Sequence, residues 1–125
     1  MINIQTQDAT IEDEVIQTMK AFLEKIVTSG QETIAYVQKY WKNYMANREQ
    51  FEIAFDTLEK IITNEINIRY NLPSDEKYNC SALKQYSINK ILNILELTSQ
   101  KKRLIKRNIN LNLLLDRYII EVTKG

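Results

Sequence analysis

Histidine is missing from all 125 residues, and cysteine occurs once, as Cys80. Zinc sites built from imidazole and thiolate are excluded, and so are nucleophiles activated by a neighbouring histidine. A lone cysteine cannot close an internal disulfide, which suits a reducing compartment. Two glycines and one proline cannot build a phosphate loop or a dinucleotide fingerprint, and they are too few for a sheet joined by tight turns. Seventeen basic residues against sixteen acidic ones leave a net charge of +1, so no global field draws the chain to nucleic acid or to anionic lipid. No stretch approaches the roughly 18 apolar residues of a membrane span. The opening "MINIQTQDATIEDEV" has neither the basic nor the apolar region of a secretion signal. A cytoplasmic protein without membrane contact is expected.

What is present is a globular composition, 44% hydrophobic and 26% charged, which excludes wholesale disorder. Isoleucine, asparagine and lysine supply about a third of the residues, the bias expected of an AT-rich genome. Scarcity of helix breakers predicts long uninterrupted elements. Ile11, Val15, Met19, Phe22 and Ile26 recur at helical steps after Thr10, a candidate N-cap, and Gly30 can end that helix. Ser29 and Glu32 have the spacing of a capping box. From there Ile34, Val37, Trp41, Tyr44, Arg48, Phe51, Phe55, Leu58 and Ile62 alternate steps of three and four in one register. With no breaker before Pro73, this predicts one helix of about 40 residues, roughly 60 Å long. After the turn composition of "NLPSDEKYNCS", Ile94, Leu97, Lys101, Leu104, Asn108, Leu111, Leu115, Tyr118 and Val122 resume the pattern.

The expected fold is all-α, a single helical domain over residues 1–125 with helices at about 10–28, 30–71 and 81–123. The last two would form a long antiparallel hairpin, coiled-coil-like, with partners whose numbers sum to about 152. Arg48, Lys101 and Asn108 then meet at its waist. Either the waist is hydrated or both helices break there, giving a compact bundle of four or five helices. The aromatic stretch "YVQKYWKNY" (36–44) could stack single-stranded nucleic acid, but its helical spacing assigns it to the core.

In the hairpin form, the first helix covers only the half nearer Gly30. Ile61, Ile66, Ile68, Ile88, Ile91 and Leu95 are then left as an apolar stripe near the hairpin loop. Such a patch marks a protein interface, with a second copy or another protein as partner; in the broken form the same residues fold inward. The other candidate surface is "KKRLIKR", where Lys101, Lys102, Arg103, Lys106 and Arg107 could contact phosphates. The hairpin also sets these cations opposite Glu49, Glu52 and Asp56, which offers internal pairing instead. The acidic run Glu49, Glu52, Asp56 and Glu59 could in principle hold magnesium. It lacks the downstream ExxD with which all-helical nucleotide pyrophosphatases complete their ExxE, so it is assigned to a solvated or ion-paired face. No constellation supplies a nucleophile, a base and an orienting group. The expectation is a non-enzymatic helical interaction module without metal, cofactor or small-molecule substrate. The alternative is a small helical subunit of a nucleoprotein complex, touching nucleic-acid backbone through residues 101–107.

Overall fold

A computed structural model describes residues Ile4 to Lys124, with side chains from Ile11 onward. Helices α1 (Ile4–Ser29), α2 (Thr33–Tyr40), α3 (Lys42–Met45), α4 (Arg48–Arg69), α5 (Ile88–Ile105) and α6 (Leu111–Thr123) pack as an all-α bundle, with no strand among the described residues. The compact, broken form of the fold is the one observed.

Helix α1 begins well before Thr10, whose side chain lies outside the described residues, so Thr10 is a position inside the helix and not its cap. Gly30 ends α1 with a φ of 58°, a left-handed conformation that costs glycine nothing. A 3-10 turn at Gly30–Glu32 leads directly into α2, where the Thr33 hydroxyl donates to the Gly30 carbonyl at 2.6 Å.

The single helix expected over 30–71 is divided. At Trp41 the axis is only disturbed, since Trp41 still donates to Val37 and Met45 to Trp41 at 2.8 and 2.9 Å. At Asn47 it breaks: the residue is extended (φ −139°, ψ 115°), and its side chain caps α4 by accepting from the Gln50 amide at 3.2 Å. The far end of α4 closes as a Schellman motif. Asn71 sits at φ 56°, Leu72 donates to Asn67 at 2.8 Å, and Asn71 donates to Ile68 at 3.2 Å. The helix expected over 81–123 is divided too. It starts only at Ile88, under a Ser87 cap, and stops at Ile105; α6 restarts under an Asn110 cap that accepts from the Leu113 amide at 3.1 Å.

Helices α4 and α5 are antiparallel neighbours, as Ser99 bonding Glu59 at 2.5 Å and Lys102 bonding Asp56 at 2.7 Å show, although these partners sum to 158 where the sequence register expects about 152. Helix α6 does not continue α5 but folds back along it. The Thr98 and Tyr118 hydroxyls meet at 2.7 Å, and Lys90 donates to the Val122 carbonyl at 2.5 Å.

Five aromatics occupy the centre. Phe22 meets Trp41 with tilted rings and centroids 4.8 Å apart, Trp41 meets Phe51 at 6.1 Å, Phe51 meets Phe55 at 5.0 Å, and Phe55 meets Tyr118 at 5.1 Å. All five are fully buried. Trp41 and Val37 therefore make "YVQKYWKNY" a core element on one side, whereas Tyr40 is exposed and pairs with half-buried Tyr36 at 4.7 Å.

Candidate functional site

Two surfaces were expected to carry function, the apolar stripe and the basic cluster. The stripe is largely core. Ile61 and Ile91 are fully buried, while Ile66, Ile68, Ile88 and Leu95 are half-buried. Contrary to the expected packing, α1 reaches the loop end of the α4–α5 pair. Glu12 accepts from Lys77 Nζ at 3.2 Å and from the Tyr78 hydroxyl at 3.3 Å. The loop between α4 and α5 closes the same end, inserting Cys80, Ala82 and Leu83 into the core.

Polar side chains of α4 hold that loop down. Asn64, buried, donates through Nδ2 to Asn79 at 2.9 Å and accepts through Oδ1 from the Asp75 amide at 2.7 Å. Glu65, also buried, pairs with Arg69 at 2.7 Å and with Lys84 at 3.4 Å, and Arg69 donates to the Leu83 carbonyl at 2.9 Å. Buried charges with several partners tolerate the loss of water, and here they fix the loop's position. The exposed apolar rim toward this end of the pair comes from residues outside the expected stripe. Tyr70 is 57% exposed, Leu72 54% and Leu92 43%; half-buried Ile68, Ile88 and Leu95 lie on the same two helices.

The basic cluster divides in two. Lys101 is buried and pairs with Glu121 on α6 at 2.6 Å. Lys102 bridges Asp56 at 2.7 Å and Glu59 at 3.0 Å on α4. The hydrogen bond from Lys102 holds the Asp56 carboxyl below its usual range, and the same bond raises the Lys102 ammonium. Arg103, Lys106 and Arg107 are exposed, and no carboxylate lies within salt-bridge distance of them among the described residues. Arg103 lies in the last turn of α5, Lys106 is its C-cap and Arg107 follows, so the three cations gather at the negative end of the helix dipole.

The expected meeting of Arg48, Lys101 and Asn108 at the waist resolves into a polar joint between two breaks. Arg48, the first residue of α4, donates to the carbonyls of Ile105, Arg107 and Ile109 at 2.6, 3.0 and 2.9 Å. It satisfies the last carbonyl of α5 and two more in the connection to α6. An open notch of about 480 Å³ lies beside it, lined by Met45, Ala46, Arg48 and residues 108–112. A second open groove, about 450 Å³, runs over Asp56, Glu59, Lys60, Asn64, Asp75 and Tyr78. Its Asp56 and Glu59 carboxylates are engaged by Lys102, Lys60 and Ser99, and that of Asp75 by Lys77. No group of three or more metal-ligating side chains occurs among the described residues, and no helix among them is long and apolar enough to cross a membrane.

The sequence offered a break at the waist only as an alternative to a hydrated hairpin, because nothing in the hydrophobic register changes there. The signal for the break was the capping chemistry. Asn47 followed by Gln50, and Asn110 ahead of the apolar run Leu111–Leu115, are N-cap placements inside apparently continuous helices.

Comparisons of this chain with protein-family models, with curated proteins and with solved structures find no match. Function is therefore argued from the surfaces alone.

Proposed function

We propose that this protein is a non-enzymatic helical module that binds another protein, or a second copy of itself, through the apolar rim at the loop end of the α4–α5 pair. The observation carrying this reading is the exposure of Tyr70, Leu72 and Leu92, large apolar groups contributed by the residues that end α4 and by the first turns of α5. The rim replaces the broader stripe, because Ile61 and Ile91 are spent on the core. The α4–α5 pair below it is pinned by Asn64, Glu65 and Arg69, so the rim is presented with little ordering cost on binding. Sedimentation equilibrium across a concentration series tests the self-associating form. A mass above the monomer should return to the monomer in Leu72→Lys/Leu92→Lys with the circular dichroism unchanged. A mass insensitive to the pair of substitutions removes the rim from the account.

A specific observation also favours a second reading, a nucleoprotein subunit that contacts phosphate backbone. Arg103, Lys106 and Arg107 stay exposed while their neighbours Lys101 and Lys102 are committed to α6 and α4. Three phosphate contacts give a logarithmic salt slope of about −2 to −3. Fluorescence anisotropy of labelled single- and double-stranded nucleic acid should show that slope, and it should vanish in Arg103→Gln/Lys106→Gln/Arg107→Gln. No binding at low salt ends this reading.

A further inference from the structure

We propose that the α5–α6 joint is the hinge of a domain swap, in which α6 leaves its own bundle and fills the same place in a second copy. The sequence of the joint, "KRNIN" at 106–110, contains neither glycine nor proline, and the hydrophobic register runs through it unshifted from Ile94 to Val122. With no helix breaker in the joint, a single helix from Ile88 to Thr123 is an accessible alternative to the folded-back pair. What holds the break is a set of side-chain bonds made to the backbone groups that such a helix needs. In a continuous helix the carbonyls of Ile105, Arg107 and Ile109 accept from the amides of Ile109, Leu111 and Leu113. In the folded-back form those three carbonyls accept from Arg48, and the Leu113 amide is taken by Asn110 Oδ1.

Straightening the hinge carries α6 away from its own core and uncovers the sites of Leu115, Tyr118 and Val122, all fully buried in the closed chain. Only an identical surface, including a Lys101 to receive Glu121 and a Thr98 to receive Tyr118, matches α6 at every position. The occupant is therefore a second copy, and reciprocal exchange closes as a two-fold dimer. This inference does not rest on the apolar rim, because Leu72 and Leu92 take no part in the joint.

The test is Arg48→Met, refolded at high concentration alongside the parent chain. It is read by light scattering after size exclusion and by hydrogen exchange of the Asn108 and Asn110 amides. Losing three charge-assisted bonds should move the monomer–dimer ratio toward dimer by about tenfold or more. In that dimer both amides should become protected, as the interior of a continuous helix requires. A monomer, or a dimer in which the two amides still exchange freely, overturns the proposal. Should Arg48→Met fail to fold, Asn108→Ala/Asn110→Ala decides by the same readouts. It keeps Arg48, removes the α6 cap and raises helix propensity through the hinge.

Discussion

Replacing Ile91 by alanine distinguishes a core from an interface at the position where the two were hardest to separate. Ile91 is fully buried among residues of one chain, whereas its neighbour Leu92 is 43% exposed. The substitution removes three carbons, about 2.4 kcal/mol at roughly 0.8 kcal/mol per buried methylene. The cavity left in a packed interior adds a further term, giving a total of about 3–4 kcal/mol. For a domain of this size, total stability is on the order of 6–19 kcal/mol, so the variant should fold with a visibly lower urea midpoint. Leu92→Ala should cost under about 1 kcal/mol. The assay is urea denaturation followed by circular dichroism on the monomer, with slopes compared to ensure that only the midpoint moves. Equal midpoints for the two variants, or an Ile91→Ala change within about 0.5 kcal/mol of zero, would refute the assignment of this residue to the core. Ile91→Glu carries the same logic further: it should abolish folding, since an unpaired carboxylate would be buried.

Asn64→Ala should cost about 2–3 kcal/mol in the same urea assay, because it leaves the Asp75 amide and the Asn79 side chain without their partner. It should also open the loop to limited proteolysis; a loop as resistant as the parent's would show that Asn64 does not pin it. Tyr118→Phe should cost about 1 kcal/mol by denaturation, a modest loss because Thr98 keeps its bond to the Ile94 carbonyl at 2.7 Å. The Asp56 pKa is depressed in the folded chain, so its contribution is fully present above the unfolded carboxyl value and is lost as pH falls through the lower folded value. Its side chain is 43% exposed, so solvent screening keeps that contribution below about 1 kcal/mol. A pH series from neutral to acid should show a smaller loss in Lys102→Gln than in the parent chain, and equal losses would contradict the pairing.

Much of the core was legible in the sequence. Val15, Met19, Phe22, Ile26, Val37, Trp41, Phe51, Phe55, Leu58, Ile62, Ile94, Leu111, Leu115, Tyr118 and Val122 all stand in the two long stripes or in the first helix, and all are buried. Periodicity reports which face turns inward, and that face stays the same whether a helix runs on or folds back. For that reason the polar members Arg48, Lys101 and Asn108 could suggest a break at the waist but could not choose it over a hydrated hairpin or place it at Asn47 and at 106–110. Those depend on capping by Asn47 and Asn110 and on Arg48 reaching across to α5, interactions between residues far apart in the chain. The position of α1 was missed for a related reason. Gly30 fixes where the chain turns, but Glu12 meeting Lys77 and Tyr78 depends on a loop whose course only the packed structure supplies. In the basic cluster the internal pairing weighed from the sequence describes Lys102, while Lys101 found its carboxylate on α6, a partner that exists only because the helix breaks.

The break between α5 and α6 is the feature on which the rest of the fold depends, and one distance tests it. Asn93→Cys and Arg117→Cys, in a Cys80→Ser background, place spin labels at two exposed positions for pulsed electron paramagnetic resonance on the dilute monomer. Folded-back helices, bracketed by Lys90 bonding Val122 and Thr98 bonding Tyr118, should hold the labels within about 20 Å of each other, given helix axes spaced roughly 8–10 Å apart. A continuous helix would separate the two positions by about 36 Å, and that longer distance in the monomer would contradict the account.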